Sequence, residues 1–433
     1  LVDSNNVIDY FNHKTNIVSF LEKNINEDFA LAQAVRERIA RECTSTIYQS
    51  FALIPPTDLI YYSDSKEGFG LPFKNGFHFF DPSTNGDIKC KDYTEVEGMF
   101  SPHKIQSREF KYTEEKGMFE TFLMRAAIGK IEIENENEEL IFGSFKAMLG
   151  YLCQTNKSQI NAPCIVFSDT NANDENRNGG RGKSLVAKAI SEVQTQLFKG
   201  GLEFDPTYQF VFDDLERKHK SYIIDDVPAG FNFDHLYTNI LSPINCHRKG
   251  RKAESISFEE SPKFVITTNW VIRYDEKNAS TNRRFLEFKF SDYYHMNHSP
   301  KDEFGSVFFE DWDVDEWDRF YSFIFRCVKL FHKNGLSQIP YDKADDNYRV
   351  YFNSDVLLQE FERIIFQLTH NKLSFNVSDF LKIYLQGELR FEKLFTTRNT
   401  KKYIDAWFSK TNNEGWSYNQ RDRTWEYKSI NQA

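Results

Sequence analysis

Long apolar runs are missing from this chain. No stretch approaches the roughly 20 residues that a membrane span needs, and the N-terminus has no basic-then-apolar leader pattern. A cytoplasmic protein with no membrane partner is the simplest expectation. Cysteine is sparse as well: Cys43, Cys90, Cys153, Cys164, Cys246 and Cys327 stand far apart, and no Cys-x-x-Cys pair exists. That spacing excludes a zinc ribbon and a redox dithiol, leaving reduced, mostly buried thiols. Positive charge is in deficit, with 54 Lys and Arg against 64 Asp and Glu and a net charge of −10. A surface that coats nucleic acid all over is excluded; a locally basic channel is not. Internal repeats and low-complexity tracts are absent. The first residue is Leu1 rather than Met, so a longer parent chain is expected.

What is present is ordinary for a globular protein, 40% hydrophobic and 27% charged. A chain of 433 residues exceeds the size of a single core, so two or three domains are expected. The 42 Phe and 21 Tyr suggest no function by themselves. Residues 1–150 read as a mixed, largely helical region. Within it, apolar spacing near the helical period runs over 28–53 and stops at Pro55-Pro56. Aromatic runs at 59–62 and 76–80 read as strands or hairpins. The acid-rich 132–139 reads as a solvated helix face or loop, and 144–152 as a helix. From about 160 to 292 short buried strands alternate with loops and helices, the α/β pattern. The candidate strands are 164–167, 210–212, 222–224, 264–267 and 285–290. Residues 295–306 mark a boundary, followed by a helix over 315–334 capped by Gly335. The tail reads as helices over 358–368, 377–386 and 401–408, then a hairpin around 416–418 and 424–427, an order compatible with a winged helix. The expected organisation is a mixed or helical region 1–150, an α/β core 151–292, a helical extension 293–335 and a C-terminal unit 336–433.

The chemistry concentrates after Cys164-Ile165-Val166-Phe167. There Gly179-Gly180-Arg181-Gly182-Lys183-Ser184 opens an apolar helical pattern and reads as a phosphate-binding loop. Lys183 reaches the β- and γ-phosphates of ATP in that reading, and the Ser184 hydroxyl ligates Mg²⁺. Arg177 stands where such loops usually have their first glycine, and the loop is long. The bland alternative is a surface turn. Tyr222-Ile223-Ile224-Asp225-Asp226 places two acids at a strand end, with Asp225 on the metal side and Asp226 orienting the attacking water. Many such ATPases have Glu at the second position. Phe264-Val265-Ile266-Thr267-Thr268-Asn269 ends another strand in an amide that can contact the γ-phosphate or the lytic water, or simply serve as a turn residue. Arg283 and Arg284 precede a strand and cannot both point into one core. Either can act from a neighbouring subunit as an arginine finger, Arg284 first, or form a surface ion pair. His247, Arg248, Lys249, Arg251 and Lys252 surround Gly250, a basic hairpin tip suited to DNA phosphates or, in the bland reading, a solvated loop. The basic run 217–220 reads as surface.

In this order these motifs resemble the superfamily 3 helicases of the viral, phage and plasmid primase-helicase type, strongly over 160–292. Phe73-Lys74-Asn75-Gly76-Phe77 and Gly150-Tyr151-Leu152 resemble the helical collar segment that precedes the motor in such proteins. The resemblance implies an α/β fold: a P-loop, AAA+-like core with a parallel sheet, a mostly helical collar before it and a small winged-helix-like α+β domain after it. It implies a hexameric ring with ATP and Mg²⁺ at subunit interfaces. In that ring Lys183, Ser184, Asp225, Asp226 and Asn269 act in cis and Arg284 or Arg283 in trans. Residues 247–252 then line a pore that tracks single-stranded DNA in the 3′ to 5′ direction. The expected function is an ATP-dependent DNA helicase replicating a phage or mobile element in a bacterial cytoplasm. Forked duplex is its substrate, and a primase or another replication protein a candidate partner. The alternative is an AAA+ ATPase that remodels or loads another protein on DNA without unwinding. A monomeric P-loop kinase explains neither Asn269 nor the arginine pair. No primase metal cluster stands out, so priming is expected elsewhere.

Overall fold

A computed structural model describes residues 62–65, 68–80, 87–96, 105–159, 162–170, 179–228, 231–250, 253–272, 279–339, 341, 348, 351–352, 355–389, 394–411 and 415–427. The helix expected over 28–53, Arg177, Arg251 and Lys252 lie outside these residues, as does the run 59–62 apart from Tyr62. Among the described residues no helix is long and apolar enough to cross a membrane.

The chain is mixed α/β. A small antiparallel sheet of β1 (Phe69–Phe73), β2 (Gly76–Phe80) and β3 (Lys89–Lys91) comes first. Helices α1 (Met118–Ile128) and α2 (Glu136–Cys153) follow. The centre is a five-stranded sheet of β4 (Cys164–Asp169), β5 (Gln196–Gly200), β6 (Ser221–Val227), β9 (Lys263–Thr268) and β10 (Phe285–Phe290). Its order is β10-β4-β9-β6-β5, and every pairing is parallel. Between these strands lie α3 (Lys183–Ser191), the short α4 (Tyr237–Leu241), a hairpin of β7 (Ile244–Cys246) and β8 (Glu254–Ile256), and the single turn α5 (Ala279–Asn282).

The sheet is buried on both faces, which is why its strands read as continuous apolar runs. Alternate residues diverge to two cores. Ile165, Phe167, Ile223, Val265, Leu286 and Phe288 face one cluster with α1, α2, α3 and the long helix after the sheet. Cys164, Val166, Tyr222, Ile224, Phe264 and Ile266 face the other, beneath the 204–215 segment. Residues 210–212 correct one expectation: they form turns, not a strand. Val211 and Phe212 are apolar because they cover the sheet, with Phe212 edge-on to Tyr222 and Phe264, and the Tyr222 hydroxyl donating to Val211 O. The fifth strand is instead β5, a half-exposed edge whose Gln-Leu-Phe-Lys-Gly sequence gives no apolar run. Within the acid-rich stretch Glu138 is not solvated. It lies nearly buried, pairs with Lys130 at 2.7 Å and accepts from Glu134 N.

After β10, Tyr294 and Phe308 flank the capped turn α6 (Pro300–Phe304), and both pack on Phe122 of α1. Helix α7 (Val314–Asn334) starts on an Asp313 cap and ends at Gly335, φ 69°. It lies along α2 so closely that a Cβ added at Gly150 would sit 2.2 Å from Cys327 O. Gly150→Ala is therefore expected to destabilise the protein by about 2–4 kcal/mol, through overpacking against backbone that cannot move aside. A fall in melting temperature would show it, and an unchanged one would refute the close approach. At the end of the same helix the buried Lys263 ammonium donates to Tyr151 O and to Gln154 O at 2.5 Å, so that β9 is tied to α2. Burial pushes this ammonium down to about 7.

The C-terminal residues form α8 (Asp355–Asn371), β11 (Ser374–Phe375), α9 (Val377–Tyr384), α10 (Thr400–Lys410), β12 (Trp416–Asn419) and β13 (Thr424–Tyr427). Their antiparallel sheet has the order β11-β13-β12. They enclose a separate aromatic core around Phe361, Phe380, Phe395, Trp416 and Trp425.

Candidate nucleotide site and basic hairpin

The glycines read from the sequence as a phosphate-binding loop stand between the C-terminal end of β4 and the start of α3. Gly180 and Gly182 take φ of 81° and 97°, left-handed values that a side chain would oppose. Gly182 has a second reason to lack a side chain, since a Cβ there would lie 2.5 Å from the Phe122 ring of α1. Helix α3 begins at Gly182 without a side-chain cap. Backbone N–H groups at such an uncapped start, with the helix dipole behind them, favour an anion.

Lys183 is largely buried and has two partners. Its Nζ lies 2.5 Å from Asp169 Oδ1, on the last residue of β4, and 2.7 Å from Asn269 Oδ1, just beyond β9. The Asn269 amide in turn donates to Asp226 Oδ1 at 3.2 Å. This chain follows from sheet order: β9 lies between β4 and β6, so the residue after β9 bridges the ends of its neighbours. Burial lowers the Lys183 pKa, and the Asp169 charge opposes that shift. Arg181, buried beside them, places Nε 3.8 Å from Asp169 Oδ2; its Nε and Nη1 have no hydrogen-bond partner among the described residues.

Asp225 and Asp226 occupy an irregularity where the register of β6 against β9 shifts between Ile224 and Val227. Asp226 has φ 53°, a conformation that costs a non-glycine residue on the order of 1 kcal/mol. Thr267 secures both acids, donating its hydroxyl to Asp225 Oδ1 at 2.6 Å and accepting from Asp226 N at 2.9 Å. The distortion turns the exposed Asp226 toward Asn269. Among the described residues no cluster of three or more His, Cys, Asp or Glu forms a metal cage. Ser184, exposed on the first turn of α3, and Asp225, at the end of β6, carry a hydroxyl and a carboxylate, the kind of oxygen donors that Mg²⁺ takes beside waters and phosphates.

Arg283 and Arg284 stand elsewhere. They precede β10, whose first residue pairs with Cys164 at the start of β4. They therefore lie at the opposite end of the sheet from the phosphate loop, roughly 17 Å away along six residues of strand. Arg284 stacks 3.5 Å from the Tyr237 ring centroid, with Nη1 buried and without a hydrogen bond among the described residues, and burial lowers its pKa. Both arginines line a cleft of about 300 Å³ with Gln159, Ala162, Leu241 and Ser280.

Residues 247–250 of the basic segment lead out of β7 toward β8, with Gly250 at φ 71°. Arg248 does not project from this segment. Its guanidinium donates to Asp213 O at 2.9 Å, Leu215 O at 2.5 Å and Glu254 at 3.0 Å, which anchors the hairpin to the body. Lys249 is exposed and His247 half-buried. Arg217 and Lys218 make surface ion pairs with Glu254, Glu260 and Glu216.

No family model matches the chain, and no curated protein matches it. Among solved structures, the apo A form of the NrS-1 C-terminal region is similar with a TM-score of 0.34 at 12% identity, over 78% of this chain and 74% of that one. A JCV helicase with a bound acetamide compound is similar with a TM-score of 0.26 at 12% identity, over 67% of this chain and 65% of that one.

Proposed function

We propose that this protein is an ATP-driven DNA helicase that acts as a ring, and that the Asp169–Lys183–Asn269–Asp226 cluster is its nucleotide site. The single observation that carries the reading is this hydrogen-bonded chain, converging on a glycine loop at an uncapped helix start. Residues 179–183 would cradle the phosphates, with Lys183 released from Asp169 to the β- and γ-oxygens. Ser184 and Asp225 would hold Mg²⁺, which when bound neutralises phosphate charge. Asp226 would position the attacking water, and Asn269 would sense the γ-phosphate, since it already touches both Lys183 and Asp226.

The distance of Arg283 and Arg284 from their own phosphate loop supports a role in trans and hence a closed ring, a hexamer in our reading. Residues 1–150 would then be the collar, 151–292 the AAA+-like core, 293–335 its extension and 336–433 a winged-helix-like unit, for which the order of α8 to β13 speaks. Such a motor suits 3′ to 5′ movement on single-stranded DNA during replication of a phage or mobile element in a bacterial cytoplasm, alongside a primase.

ATP-dependent strand displacement on a forked duplex tests the proposal; hydrolysis without displacement would favour the remodelling or loading ATPase. Lys249→Ala is expected to weaken DNA-stimulated hydrolysis several-fold while leaving basal hydrolysis intact, because an exposed cation at the hairpin tip contributes through phosphate contact. Stimulation unchanged in that variant would remove the hairpin from the DNA path.

A further inference from the structure

Asp169 is a buried carboxylate, 4% exposed, with no step of its own in the proposed hydrolysis. Its position is fixed by the sheet. Asp169 ends β4 opposite Phe290 of β10, and the next residue, Thr170, donates its backbone N–H and its hydroxyl to Phe290 O, each at 2.9 Å. Lys183 is the adjustable member of the pair, a charge on a flexible four-carbon stem at the first residue of α3. Arg181 is the other cation nearby, and it does not reach. Its Nε stands 3.8 Å from Asp169 Oδ2, too far for a hydrogen bond, and Nε and Nη1 have no partner among the described residues. Lys183 is thus the only group among the described residues that hydrogen-bonds the Asp169 carboxylate.

We propose that Asp169 is a positioning residue that competes with the β- and γ-phosphates of the nucleotide for Lys183, loosening the hold on nucleotide so that product can leave. The inference rests on the nucleotide site proposed above. Two anions drawing on one ammonium oppose each other: a phosphate that takes Lys183 leaves a buried carboxylate under-compensated, a costly arrangement away from water. Strand β4 cannot carry Asp169 after Lys183, so this opposition is present whenever nucleotide is bound and relieved whenever it leaves. Loss of the γ-phosphate reduces the charge that holds Lys183, and Asp169 then takes the ammonium back. An Asn at this position keeps the shape of the side chain and removes the competition.

The test measures binding of a non-hydrolysable ATP analogue, ADP and AMP, each with Mg²⁺, to the full chain and to its Asp169→Asn variant. The variant is expected to bind the analogue and ADP about tenfold tighter or more, and to bind AMP, whose single phosphate stops short of Lys183, with unchanged affinity. In turnover KM should fall while kcat does not rise, because affinity shared by substrate and product speeds no step. Analogue affinity that is unchanged or weaker overturns the inference, as does AMP binding that tightens equally or a kcat that rises. A second measurement needs no variant: in a crystal structure of the wild-type chain with the analogue, Lys183 Nζ should stand beyond ion-pair range of Asp169, about 4 Å. An Nζ still bonded to Asp169 overturns the inference even if the variant fails to fold. Wild-type protein that binds none of the three nucleotides removes the nucleotide site itself, whereas wild-type binding that Asp169→Asn leaves unimproved removes only this role.

Discussion

Lys183→Ala is expected to reduce ATP hydrolysis by about 10²–10³-fold or more, the loss typical when a preorganised electrostatic contact to a developing charge is removed. Lys183 is the one charged member of the hydrogen-bonded chain that can meet a phosphate, and both of its present partners are oxygen acceptors that a phosphate oxygen can replace. The substitution has a side effect that must be separated from chemistry. It leaves the buried Asp169 carboxylate with Arg181 alone at 3.8 Å, and an under-compensated buried charge destabilises the fold. Lys183→Ala/Asp169→Asn removes that charge. The double variant should recover the melting temperature of the wild type and remain inactive in phosphate release. Recovery of hydrolysis in either variant would exclude Lys183 from the reaction.

The second large effect is expected from mixing two inactive proteins. Arg284→Ala should abolish hydrolysis without preventing nucleotide binding, because Arg284 and Lys183 of one chain lie at opposite ends of the parallel sheet. If each site combines Lys183 from one subunit with Arg284 from the next, mixed assemblies of Arg284→Ala and Lys183→Ala contain some interfaces with both residues intact. Activity should then return to roughly a quarter of the wild-type level on random mixing, through an arginine acting in trans. Activity of Arg284→Ala alone at the wild-type level, together with a dead Arg283→Ala, would transfer the role to its neighbour. No recovery when Lys183→Ala is mixed with Arg284→Ala or with Arg283→Ala would refute catalysis across an interface. Dilution below the assembly concentration should abolish wild-type hydrolysis on the same grounds.

How much could be read from the chain beforehand varied with the physical cause. Strands β4, β6, β9 and β10 were legible because a parallel strand buried on both faces must be apolar throughout, and no other short segment needs to be. The same rule misread 210–212, where aromatic residues cover a sheet instead of joining it, and passed over β5, an edge strand free to carry Gln196 and Lys199. The acids and amide at strand ends stood out because polar residues directly after apolar runs lie at the rim of a sheet; sheet order, which no local pattern encodes, then decided that Asn269 would bridge Lys183 and Asp226. Asp169 escaped notice since it looked like the polar boundary of a strand, although an acid directly before a phosphate loop is a signal. Thr267 was hidden inside its strand, and its importance arises from the irregularity in β6. The anchoring of Arg248 on Asp213 O and Leu215 O depends on a turn distant in sequence, so a run of basic residues could not show which of them turns inward.

The contact between Gly182 and Phe122 has a mechanical meaning. The phosphate loop rests on an aromatic ring as on a fixed stop, with no room for even one carbon between them. Phe122 meets Phe119, and Phe119 meets Phe320 of α7, each pair with centroids under 6 Å apart. A push on Gly182 toward α1 would meet Phe122 and be handed on through Phe119 to Phe320, on a 21-residue helix long enough to serve as a lever arm.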